Sequence, residues 1–96
     1  MIVMQMRWDG ATPEQYDQMA AKLNWQGDPP DGGIQHVAWF DDTGMNIVDV
    51  WENEEKFNAF IQGKVMPAVQ ELGIPGQPDV RIDQAHAVNE GLLARR

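Results

Sequence analysis

The chain has 96 residues, no cysteine and a formal net charge of -8. It has room for one domain and no means of building a disulfide framework, a thiolate nucleophile or a cysteine-bound metal centre. The acidic balance excludes nucleic acid and anionic lipid as partners, because either requires a basic footprint that displaces counterions.

A domain this small buries only roughly 60–65% of the surface its unfolded chain exposes. With 43% apolar residues and nothing to staple the fold, a subunit interface is the natural source of extra buried area, so a homodimer is expected. No stretch approaches the roughly 18 apolar residues of a membrane span. The apolar run near Met1 has no basic flank, which argues against a signal peptide. The expectation is a cytoplasmic protein that neither spans nor binds a membrane.

Ile2 to Trp8 is rich in β-compatible residues, and Asp9-Gly10 closes it with turn chemistry, which predicts a first strand. Thr12-Pro13-Glu14-Gln15 follows as a helix start, with Thr12 as N-cap, Pro13 in the first helical position and Gln15 completing a capping box. Tyr16, Met19, Ala20 and Leu23 then recur on one helical face. Asn24 to Gly33, with two prolines and three glycines, reads as a loop placed to serve as a lid.

Ile34–Phe40 and Met45–Trp51 are strand-like runs joined by Asp41-Asp42-Thr43-Gly44, a hairpin connection. Asn53-Glu54-Glu55 caps a second helix and sets carboxylates at its positive end. Its buried stripe is Phe57, Phe60, Ile61 and Val65; Gly63 and Pro67 are expected to kink or break it, and Ala68, Val69 and Leu72 continue the face to Gly73. Val80–Val88 forms the last strand after Pro75-Gly76-Gln77-Pro78, and Glu90–Arg96 reads as a tail. The order βαββαβ predicts an α+β, ferredoxin-like domain over residues 1–89: a four-stranded antiparallel sheet with both helices on one face.

Pairing Phe40 with Met45 across the hairpin sets His36 opposite Asp49, Ala38 opposite Ile47, Ile34 opposite Trp51 and Val37 opposite Val48. The uniformly apolar Val37, Val48 and Val50 suit the helix-packed face. Ile34, His36, Ala38, Ile47, Asp49 and Trp51 then form the opposite face, apolar walls with an imidazole and a carboxylate set into them. Small-molecule sites have such linings, and so do dimer interfaces with one satisfied polar pair. A carboxylate beside histidine orients the ring and favours the imidazolium, as a general base requires. His86, in phase with Val80, Ile82 and Gln84, is a second polar group on an apolar strand. Trp51 is either core or the aromatic wall of a planar ligand. Two histidines far apart in sequence and one aspartate fall short of a metal site, so none is expected.

Thr12-Pro13-Glu14-Gln15-Tyr16, His36-Val37-Ala38, Ile47-Val48-Asp49-Val50-Trp51-Glu52, Phe57 with Phe60, and Pro75-Gly76 before the last strand together resemble the dimeric α+β barrel superfamily, specifically its antibiotic-biosynthesis monooxygenase-like members. The resemblance implies two sheets meeting as a barrel and one ligand cavity per subunit, between sheet and helices or in the lumen. It implies cofactor-independent oxygenases, polyketide cyclases, lactone isomerases and haem-degrading enzymes as relatives. The haem-degrading branch places its iron ligand on a helix, where this chain has no histidine, so no cofactor is expected. Fold alone does not choose among the rest.

Two readings follow. In one, a cofactor-independent monooxygenase or cyclase/isomerase acts on an aromatic or polyketide-like substrate. His36 and Asp49 are then its catalytic pair, and Trp51, His86, Tyr16, Ile34, Ala38 and Ile47 bind the substrate. In the other, the same face seals a non-catalytic ligand-binding or accessory dimer. A cavity open at His36 favours the first reading, and a packed, dry face favours the second.

Overall fold

The structure, a computed structural model, describes residues 1–89; the tail expected at 90–96 lies outside them. Eight elements follow in order: β1 (Ile2–Asp9), α1 (Pro13–Leu23), β2 (Gly33–Asp41), β3 (Gly44–Trp51), α2 (Glu54–Phe60), a π-helical turn (Ile61–Val65), α3 (Met66–Leu72) and β4 (Asp79–Gln84). The strands form one antiparallel sheet in the order β2-β3-β1-β4. This is the ferredoxin-like α+β fold.

Local chemistry explains the element ends. The Thr12 hydroxyl accepts from the Gln15 N–H at 3.2 Å while the Gln15 side chain accepts from the Thr12 N–H at 3.0 Å, a reciprocal capping box. Asn24 ends α1 in the left-handed conformation at φ 49°, and the Asn53 carboxamide caps α2 by accepting from Lys56 N–H. In the hairpin, the Asp41 carboxylate accepts from the Thr43 and Gly44 N–H groups, both at 3.0 Å. Gly44 is required there: at φ 158° a Cβ would stand 2.4 Å from the Trp8 carbonyl oxygen.

Gly63 and Pro67 do not break the second helix. Pro67 has no N–H for the Gly63 carbonyl, and its ring would press on that carbonyl in a regular helix. The chain widens into the π-helical turn just before it, and α3 continues from there.

The two sheet faces are the reverse of the expectation. Ile2, Met4 and Trp8 of β1 and Met45, Ile47 and Trp51 of β3 are buried against Phe57 and Val69 of the helical layer. Asp49 shares that face, at 7% exposure. The open face carries Val37 and Trp39, exposed at 46% and 47%, with Val48 and Val50 beside them and Arg7 among its polar groups. The strand next door decides the matter. Val3, Gln5 and Arg7 alternate with Ile2, Met4, Met6 and Trp8, and only the second set builds a core beneath helices. Met4 pairs with Asp49 and Met6 with Ile47, so antiparallel register carries Asp49 and Ile47 inward with them. Ile34, Ala38, Ile47 and Trp51 therefore do not form the face opposite the helices.

Two further expectations are corrected. The register holds from His36–Asp49 to Asp41–Gly44, but a bulge at Ile34 leaves Gly33 opposite Trp51. And β4 stops at Gln84, not Val88. Its partner β1 begins at Ile2, opposite Gln84, and the ladder closes with Ala85 N–H donating to the Met1 carbonyl. Among the described residues the ladder goes no further.

Candidate active site

Helix α1 has no buried residue. Its apolar stripe closes on the core only in part, through Tyr16 and Met19, and a cavity of about 240 Å³ remains between α1, the helical layer and the inner sheet face. Met4, Met6, Met19, Met45, Trp8 and Trp51 supply much of its wall, together with Phe57, Phe60, Ile61 and Val65. The volume lies just under the roughly 300–1,000 Å³ of pockets for drug-sized molecules, so the space suits a small ligand. The π-helical turn contributes Ile61 and Val65 to it, in keeping with the frequency of such turns at functional sites.

One corner is polar, and four residues from three elements form a continuous chain there. The Tyr16 hydroxyl of α1 lies 2.8 Å from His36 Nε2 of β2, and His36 Nδ1 lies 2.6 Å from Asp49 Oδ1 of β3. The Trp51 Nε1–H donates to Asp49 Oδ2 at 3.1 Å. Asp49 is thus satisfied at both oxygens. The His36 side chain is 34% exposed against 10% for Asp49, so the chain runs from the cavity mouth into the protein.

Donor and acceptor rules fix the protons. An ionised carboxylate only accepts, so Nδ1 carries the hydrogen towards Asp49. In the neutral ring Nε2 is then a lone pair that accepts from the Tyr16 O–H. Burial first, then the negative charges of Asp49 and Asp17, push the Tyr16 hydroxyl above the usual phenol range, so Tyr16 remains a phenol. When His36 takes up a proton, Nε2–H becomes a donor and the tyrosine oxygen an acceptor. The chain can therefore move a proton between the cavity and His36 without moving a heavy atom.

Aromatic rings hold this arrangement in place. Trp25 packs on His36 with centroids 4.9 Å apart, and Tyr16 lies nearly parallel to His36 at 6.0 Å. Trp51 packs on Phe57 and Phe60 at 5.6 and 5.4 Å. The Trp25 loop is tied to the second helical segment by Lys56–Asp31 at 3.2 Å and Lys64–Asp28 at 3.1 Å.

Of the residues singled out in the sequence, His36, Asp49, Trp51, Tyr16, Ile34 and Ile47 meet at the cavity. The bulge brings Ile34 there although it has lost its place opposite Trp51. Ala38 packs against the core beside the cavity without lining it. His86 falls in an exposed bend beyond β4 and is not among the lining residues, because the strand that would have carried it inward has ended. Trp25 was the residue missed. It directly follows the left-handed cap at Asn24, and Asp28 N–H bonds back to the Asn24 carbonyl, a turn that returns the indole to the Tyr16 side of α1. Among the described residues no group of three or more His, Cys, Asp or Glu could hold a metal ion, and no helix is long and apolar enough to cross a membrane.

No protein-family model matches the sequence, and no curated protein matches it at the sequence level. Solved structures do match. A Nitrosomonas europaea protein of unknown function, NE2512, superposes with a TM-score of 0.68 at 18% identity, covering 92% of this chain and 91% of its own. SnoaB, a cofactor-independent oxygenase from Streptomyces nogalater, gives 0.66 at 15% identity over 93% and 96%. The chain has their fold. A candidate antibiotic biosynthesis monooxygenase from Deinococcus radiodurans gives 0.64 at 16% identity over 93% and 97%. The similarity read from the sequence is thus the similarity found in three dimensions, and it spans nearly the whole of each chain.

Proposed function

We propose that this protein binds a small aromatic or polyketide-like molecule in the cavity and transfers a proton to or from it without a cofactor, as a monooxygenase or cyclase/isomerase of the antibiotic-biosynthesis monooxygenase type. The observation that supports this is the Tyr16–His36–Asp49–Trp51 chain, which ends at an open apolar cavity instead of a packed one. His36 is the base. A proton leaving the ligand passes to the Tyr16 oxygen as the Tyr16 proton passes to Nε2, and the resulting imidazolium is stabilised by Asp49. The ligand is left as a resonance-stabilised anion, the common starting point for cyclisation, isomerisation and reaction with dioxygen. A structural His–Asp pair that merely seals an interface has no use for the space in front of it.

Thermal unfolding in the presence of a panel of small aromatic metabolites tests the reading. A ligand at 100 times its Kd stabilises the native state by about 2.7 kcal/mol, which for a domain of this size raises Tm by roughly 10–20 °C. The hits are expected to perturb the NMR signals of His36 and Tyr16. A panel without hits, or hits that leave those signals unmoved, overturns the assignment.

The open sheet face supports a homodimer, with Val37, Trp39, Val48 and Val50 as its apolar centre. No element of the described residues covers that face. Sedimentation equilibrium is expected to return twice the chain mass at micromolar concentration, with Trp39→Glu shifting the protein to monomer. A wild type that stays monomeric sinks the barrel arrangement.

A further inference from the structure

Resting on the acid–base reading of the same site, we infer that the cavity selects uncharged ligands that carry a hydrogen-bond donor and rejects anions such as carboxylates and phosphates. Three observations carry this. First, the cationic side chains among the described residues are all engaged elsewhere: Arg7 with Asp9, Lys22 with Glu71, Lys56 with Glu52 and Asp31, Lys64 with Asp28, and Arg81 with Asp83. None of them lines the cavity. An anion entering an apolar space without a partner loses its hydration uncompensated.

Second, the one cation the site can generate is already spoken for. A protonated His36 is matched by Asp49 at 2.6 Å, so the pair presents no net positive charge to an incoming anion. Asp49 and Asp17 both bear on Tyr16, and together with burial they push its hydroxyl upward.

Third, hydrogen-bond capacity at the Tyr16 oxygen is one-sided, whatever the Gln15 and Gln35 amides offer elsewhere on the wall. In the neutral state the Tyr16 O–H is committed to His36 Nε2, so its oxygen offers the ligand a lone pair. A ligand hydroxyl satisfies that lone pair and lies on the proton path described above. A carbonyl or ether at the same point faces an acceptor with an acceptor. Tyr16 is thus the specificity-determining contact, and His36 acts behind it.

Three matched probes test the inference by isothermal titration at neutral pH: 2-naphthol, uncharged with a donor; 2-fluoronaphthalene, nearly isosteric without one; and 2-naphthoate, ionised. The naphthol is expected to bind about tenfold more tightly than the fluoro compound, the worth of one hydrogen bond. The naphthoate is expected to bind more weakly than either. In Tyr16→Phe, which keeps the ring and removes the oxygen, the preference for naphthol over fluoronaphthalene should vanish while the fluoro compound binds as before. Naphthoate binding as tightly as naphthol, or a naphthol preference that survives Tyr16→Phe, overturns the selectivity while leaving the cavity a ligand site. If none of the three binds, the ligand-site reading falls and the inference falls with it.

Discussion

His36→Ala is expected to cut turnover of any ligand found to bind, with the protein still folded but melting below wild type, because Asp49 Oδ1 loses its donor at a cost of about 1–3 kcal/mol. The side chain is one third exposed, so its removal opens no deep cavity. The chemistry loses its base, and general-base groups typically contribute about 10²–10⁴-fold to rate. Asp49→Asn should lose less. One oxygen of the amide still accepts, so part of the geometry survives, while the charge that stabilises imidazolium is gone. The two variants together discriminate. If both variants bind ligand and keep near wild-type turnover, the pair is structural and the catalytic reading is wrong.

The largest loss of stability is expected at Trp51. Its side chain is 3% exposed, packs on Phe57 and Phe60, and donates to Asp49. Trp51→Ala removes a large buried ring at a cost of about 3–5 kcal/mol. A domain of this kind has about 5–15 kcal/mol in total, so the variant sits near the edge of folding. Trp51→Phe separates packing from hydrogen bonding, since the smaller ring keeps most of the contact and leaves Asp49 Oδ2 without its donor, a loss of about 1–3 kcal/mol. Urea denaturation measures both. A phenylalanine variant as stable as wild type shows that the indole N–H does not hold the carboxylate.

Much of this site was legible in the sequence, and the reasons are specific. The hairpin Asp41–Gly44 fixes a register in which His36 must oppose Asp49, and cross-strand neighbours in antiparallel sheets share a face whatever that face packs on. The pairing of His36 with Asp49 therefore holds whichever face of the sheet meets the helices. Taken alone, the hairpin points the other way, because the Val37–Val48 pair looks more like core than His36–Asp49 does. The alternation in β1, Ile2-Met4-Met6-Trp8 against Val3-Gln5-Arg7, held the correct answer. The Tyr16–His36 contact was not legible, because it depends on how far α1 stands from the sheet, and helix spacing is set by side chains from every layer. His86 was misplaced for a simpler reason: alternation continues past the last residue that has a partner, while hydrogen bonding does not.

The position of His36 within the sheet has a consequence for dynamics. In the order β2-β3-β1-β4 it belongs to an outermost strand, hydrogen-bonded on one side only, and the bulge at Ile34 loosens that side at one end. Outer strands open at lower free energy than the centre of a sheet. His36 therefore rides on a segment that can peel away while Met4 and Trp51 stay packed, and the cluster around it can be dismantled and rebuilt without unfolding the protein. A ligand that bridges Tyr16 of α1 to His36 of β2 ties that outer strand to the helical layer, so occupancy and local order rise together.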